Sequence, residues 1–197
     1  MLRFLFMENS TAIDPDISMR ELLEIFPGAQ RALFKKYHIG GCASCGFRPD
    51  ETLAQVCERN NRLPVDEAIE HIQSSHEEDL KMQIAPRDLS RALEEKNRAE
   101  ADSKSFAVKL VDIRTREEFE AARIEGAVLF TQDLMQEMLA KWDRGAMIVF
   151  IDHQGRRGID AAAYFAGHGF TNVKTLRGGI DAWSQEMDPS VPRYHLE

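Results

Sequence analysis

The chain has 197 residues, 43% of them hydrophobic and 29% charged, a balance that fits a soluble globular protein with one medium domain and one small one. Twenty-five Lys and Arg against 33 Asp and Glu leave a net charge of −8, which argues against a nucleic-acid partner, since that asks for a basic face. No apolar run approaches the roughly 18 residues of a membrane span, and the opening segment 1–7 is too short for a signal h-region and lacks a small-residue cleavage site.

Residues 1–15 read as a tail, and 16–76 as a small all-helical domain. Ser18-x-x-Glu21 is a capping-box signal, and Leu22, Leu23, Ile25 and Phe26 give the first helix an apolar face before Pro27-Gly28 breaks it. A second helix over 29–37 buries Ala32, Leu33 and Phe34 and ends at Gly40-Gly41. Cys42-Ala43-Ser44-Cys45-Gly46 follows as a turn. A third helix starts near Asp50 and carries Leu53, Val56 and Cys57 at helical spacing; Pro64 opens a fourth, with Ala68, Ile69 and Ile72 inward.

The composition then turns polar and acidic (Glu77, Glu78, Asp79), which places a link over 77–86. A charged helix from Asp88 to Ala101 leads into a second domain over 87–197. Strands near 109–112, 127–130, 147–151 and 172–175 alternate with helices, so the fold class is α/β: a parallel sheet wrapped by helices after the small all-α domain. Ligands of such sheets bind at the carboxyl ends of the strands.

The loop after the third of these strands is the most telling. Phe150-Ile151-Asp152-His153-Gln154-Gly155-Arg156-Arg157-Gly158 runs from β-formers through a polar turn into an Ala-rich helix. Strand, tight loop and helix N-terminus make backbone N–H groups converge into an anion cradle. A nucleophilic enzyme would want Cys at its base, where the cradle favours a thiolate; this chain has Asp152. As a carboxylate nucleophile, Asp152 would need a metal or a dense cationic clamp. The favoured reading is that it fills the cradle itself, accepting N–H bonds and pairing with Arg156 or Arg157. Those two arginines are otherwise contacts for a protein partner or a small anion. His153 reads as exposed and without a catalytic task. Asp112 and Arg114, at the end of the first strand, are pocket-wall candidates or a structural ion pair.

This half resembles the rhodanese-like (sulfurtransferase) domain. Leu110-Val111-Asp112-Ile113-Arg114 with Glu117-Glu118-Phe119, Ile124-Glu125-Gly126-Ala127, and Leu176-Arg177-Gly178-Gly179-Ile180-Asp181-Ala182-Trp183 match its blocks in order. The family's active loop reads Cys-x-x-Gly-x-Arg-Ser. The resemblance puts Gly155 and Arg157 on its Gly and Arg, Asp152 on its Cys and Gly158 on its Ser. It implies a fold and an anion-type pocket. Ordinary thiosulfate sulfurtransfer at Asp152 is not expected, because a carboxylate has no sulfur to load as a persulfide.

Three cysteines, two of them as Cys42-x-x-Cys45, suggest cytoplasmic redox or metal chemistry rather than a disulfide framework. The pair is half of a four-ligand Zn or Fe–S site; Cys57 and His38 are the nearest further ligands, and a homodimer would also bring four thiolates together. Leu23-x-x-Phe26-Pro27, Phe34-x-x-Tyr37-x-Ile39-x-x-Cys42-x-x-Cys45 and Glu51-Thr52-Leu53 are similar to the small helical domain of hybrid-cluster-associated and iron–sulfur-cluster repair proteins. The expected function is a docking domain without a loop Cys, coupled to a CxxC thiol, metal or Fe–S module. The alternative is a sulfurtransferase that uses Cys42 or Cys45 as the persulfide carrier.

Overall fold

The computed structural model describes residues 12–41, 46–99 and 108–193. It divides into two compact units, Met1–His76 and Glu77–Glu197.

The first unit contains α1 (Met19–Ile25), α2 (Ala29–Tyr37), α3 (Leu53–Arg59) and most of α4 (Val65–Lys81). Ser18 caps α1 reciprocally with Glu21, and Thr52 caps α3 with Gln55 in the same way. Ser18 and Thr52 also bridge in antiparallel fashion, so the two helix starts are tied together. Met19, Leu22, Leu33, Leu53 and Val56 are fully buried in this unit's core. Two residues depart from the sequence pattern: Ile25 is 49% exposed and Phe34 47% exposed. Both helices are short, and a short helix can turn only a narrow stripe inward.

The segment expected as a link is regular structure. α4 continues to Lys81, β1 (Gln83–Ile84) follows, and α5 (Pro86–Ala99) begins two residues later. Its acidic stretch shows no apolar period because the buried residue among Glu77–Leu80 is a polar one, Asp79.

The second unit is a five-stranded sheet in the order β1-β5-β4-β2-β3, with every pairing parallel. Its remaining elements are β2 (Lys109–Asp112), α6 (Arg116–Ala121), β3 (Ala127–Leu129), α7 (Gln132–Lys141), β4 (Ile148–Ile151), α8 (Gly158–Gly167), β5 (Val173–Leu176) and α9 (Gly179–Glu186). Side chains alternate across the pleat. Leu110, Val149, Ile151 and Leu176 pack on one face with Leu89, Ile180 and Trp183. Val111, Ile148, Phe150 and Val173 pack on the other with Met138, Ala162 and Phe165. All four β4 residues are fully buried, so this strand is the centre of the domain. Among the described residues no helix is long and apolar enough to cross a membrane.

Candidate functional site: the loop after β4

Parallel strands all end at one edge, and the β4–α8 loop sits in the middle of it, between β5 and β2. Asp152 follows directly on Ile151, which pairs with Asp112 of β2. Its side chain is buried under the loop, at 3% residue exposure. One oxygen accepts the Gly155 N–H; the other accepts Arg157 N–H at 2.6 Å and Gly158 N–H at 3.2 Å. Arg157 and Gly158 are the N-cap and first residue of α8, and Arg157 makes no side-chain cap bond of its own. Asp152 therefore caps α8 from beneath: its carboxylate takes amides that a helix start otherwise leaves without partners, at the positive end of the dipole.

The loop's fold is fixed from the β5–α9 side. Gly155 has φ +80°, a left-handed conformation open to glycine, and a Cβ there would stand 2.6 Å from Gly178 N and 2.8 Å from Leu176 O. Ile180 N–H donates to Asp152 O at 2.9 Å and Asp181 N–H to His153 O at 3.2 Å. Sequence reading identified Gly178-Gly179 but not that they pack against the loop. It also passed over Thr175, fully buried in β5, whose side chain fills the space beside Gly158. A small residue at 158 facing a β-branched one at 175 was the signal available.

The candidate residues separate into two groups. Asp152, Gly155 and Gly158 are buried in the loop's own hydrogen bonding, whereas Gln154, Arg156 and Arg157 have exposed side chains. The expected pairing of Asp152 with Arg156 or Arg157 does not form: both guanidiniums are exposed, and the carboxylate is satisfied by amides instead. His153 is half-buried rather than exposed, because its backbone is drawn in against α9.

Asp112 and Arg114 form a buried ion pair. Arg114 Nε donates to Asp112 Oδ1 at 2.9 Å and Nη2 to Oδ2 at 2.6 Å, and the two side chains are 0% and 2% exposed. Arg114 Nη2 also donates to Ala122 O at 2.5 Å, which ties the end of β2 to the end of α6. A bidentate pair this deep fixes the end of β2.

In the helical unit, Cys42 and Cys45 lie outside the described residues; their flanks do not. Gly46 packs against Gly40, where a Cβ would stand 2.9 Å from Gly40 N. Gln30 Nε2 donates to Gly40 O at 2.9 Å, and Arg59 Nη2 to Gly46 O at 2.7 Å. Glu51 holds Arg59 at 2.5 Å, and an N–H bond from Arg48, together with Arg59, keeps its carboxyl below the usual range. Cys57 is 1% exposed in the apolar core of this unit, and burial raises its thiol pKa. His38 is exposed at the left-handed C-cap of α2, its ring edge-on to Phe34.

The sheet order, the loop and the blocks along the chain define a class. A family model for the rhodanese-like domain matches residues 86–186, and the chain belongs to that family. It is related to sulfurtransferases. It is 31% identical over 74 residues to the thiosulfate sulfurtransferase GlpE of Pseudomonas savastanoi pv. phaseolicola, covering 38% of this chain and 70% of that one. It is 33% identical over 87 residues to the probable adenylyltransferase/sulfurtransferase MoeZ of Mycobacterium tuberculosis, covering 43% of this chain. The chain spans only 22% of the length of MoeZ. A rhodanese-like domain protein from Staphylococcus aureus aligns at 23% identity and a TM-score of 0.40, over 57% of this chain and 98% of that one.

Proposed function

We propose that the rhodanese-like domain of this protein is a non-catalytic docking module, and that any thiol, metal or sulfur chemistry belongs to Cys42 and Cys45. One observation carries the first half: the Asp152 carboxylate occupies the amides of Gly155, Arg157 and Gly158. By the family's pattern the residue at that position is the Cys that takes sulfane sulfur as a persulfide. Asp152 has no sulfur to load, and it consumes the donors that would stabilise a bound anion or a thiolate. The CxxC pair supplies two thiol ligands for Zn or an Fe–S cluster, or a redox couple. In the cytoplasm, such a pair stays reduced and available.

Thiosulfate:cyanide turnover by the full chain is expected to be absent, with some activity gained in Asp152→Cys. Turnover at ordinary rhodanese rates that survives Cys42→Ala overturns the docking reading. Turnover that Cys42→Ala or Cys45→Ala abolishes moves the sulfur carrier to that pair. Zinc, iron, acid-labile sulfide and free thiols on anaerobically purified protein, against a Cys42→Ser/Cys45→Ser control, decide between metal and redox roles.

A further inference from the structure

The edge of the sheet that carries the filled cradle also carries arginines that pair with no acidic side chain among the described residues. Arg156 and Arg157 lie in the loop after β4. Arg177 directly follows β5, its N–H donating to Ile84 O at 2.9 Å, and Arg87 lies in the first turn of α5, just past β1. The strands run β1-β5-β4 in parallel, so all four residues stand at the same edge, and all four are exposed. Their backbones are contiguous: Gly155 sits against Leu176 O and Gly178 N, and Arg177 against Ile84.

Among the described residues no carboxylate pairs with any of the four. Asp152 is held by amides. Asp181 is held by Arg193 at 2.7 Å, and Asp88 lies 3.8 Å from Arg91. In a chain of net charge −8 this is a local concentration of guanidiniums that form no ion pair among the described residues. Three adjacent strands span about 10 Å, the reach of an extended peptide of roughly three to four residues.

We propose that this rim docks an acidic segment of a partner protein, read by Arg87, Arg156, Arg157 and Arg177. The inference rests on the non-catalytic reading of the loop. A single small anion is a poor match, because the convergent amides it needs are taken and the guanidiniums are spread along the edge. A nucleic acid is a poorer one, because its long, uniform charge meets the net negative remainder of the protein. Several carboxylates at peptide spacing match guanidiniums that can each take a carboxylate in a bidentate fork.

The test uses the full chain and a fluorescein-labelled peptide of alternating Glu and Ser, read by fluorescence anisotropy at about 50 mM salt. The peptide is expected to bind, the Gln–Ser version not to, and added salt to weaken binding. Arg156→Ala/Arg157→Ala/Arg177→Ala is expected to lose about tenfold in affinity, from three exposed ion pairs. Arg20→Ala/Arg62→Ala, remote in sequence from the rim, is expected to leave it unchanged. Arg177→Glu alone provides the same direction should the triple variant unfold. No peptide binding, or equal loss in the Arg20/Arg62 control, overturns the proposal. So does thiosulfate or oligo-dT displacing the peptide at equal or lower concentration, which would make the rim a general anion site. Thiosulfate turnover measured on the same preparations reports separately on the loop: turnover there with peptide binding intact fails the non-catalytic reading, and silence there with no binding fails this inference alone.

Discussion

Replacing Asp152 with Ala tests whether the carboxylate is a structural plug. The substitution strands three amides at once. Those of Gly155 and Gly158 belong to buried residues, while Arg157's lies nearer solvent and can turn to water. A buried N–H left without a partner costs about 1–3 kcal/mol, and loss of a helix N-cap about 0.5–2 kcal/mol. The two overlap, because the Gly158 bond is part of the cap. Relief comes from removing a carboxylate that is 3% exposed and has no side-chain counter-ion. The balance is a loss of about 2–4 kcal/mol. At about 4 °C per kcal/mol for a domain of this size, the midpoint falls by roughly 8–16 °C. Both tryptophans, Trp142 and Trp183, lie in the rhodanese-like unit, so thermal unfolding followed by tryptophan fluorescence reads that unit within the intact chain. Asp152→Asn, which keeps one acceptor oxygen, is expected to lose less. A midpoint unchanged or raised in Asp152→Ala would refute the reasoning, since residues kept for chemistry at the expense of stability commonly behave that way.

Three further outcomes are expected. Gly158→Ser should cost about 1–3 kcal/mol by overpacking, because its Cβ would collide with Thr175 Oγ1; a double-mutant cycle with Thr175→Ala, which removes that oxygen, read by the same fluorescence, should recover part of the loss. Glu51 has its folded pKa lowered, first by the Arg48 N–H and then by Arg59. Its contribution to the helical unit is therefore complete above the unfolded value of about 4.3 and is lost as pH falls through the folded one. An acid titration by circular dichroism should show this loss in the unsubstituted protein, and Glu51→Gln should remove that component. Cys57, buried and with its thiol raised, should resist alkylation at pH 8 until denaturant is added, as mapped by peptide mass spectrometry; rapid labelling in the native protein would contradict its place in the core.

Much of the fold was legible in the sequence because the strong signals are local. Ser18-x-x-Glu21 forms the capping box it spells. The run of β-formers ending at Ile151 forms the fully buried central strand. The failures come where tertiary structure decides. β1 is two residues long, so it has no alternation to read, and it joins the sheet through β5. The segment before it reads as a polar link although it is helical, because a helix turn whose buried residue is Asp79 carries no apolar stripe. In the site, the cradle was visible from strand, loop and helix order. So was the filling of that cradle by the Asp152 carboxylate; the pairing with an adjacent arginine does not form, because the amides satisfy the carboxylate and both guanidiniums stay outside.

That choice of partner links the two halves of the reading. A thiol presents one sulfur atom to the cradle, whereas a carboxylate has two oxygens and divides the donors between them, one to Gly155 and the other to Arg157 and Gly158. Spread in this way it fastens both sides of the turn and the start of α8 to the end of β4. It needs no guanidinium to do so, and Arg156 and Arg157 stay exposed with their charge available. Had either arginine neutralised Asp152, the rim would lose charge and the loop would gain nothing that the amides do not already supply. A loop fixed from within presents those guanidiniums on settled backbone, which lowers the ordering cost of binding. On the proposed function, the residue that removes the sulfur carrier from this position is the one that leaves the same edge its charge for docking.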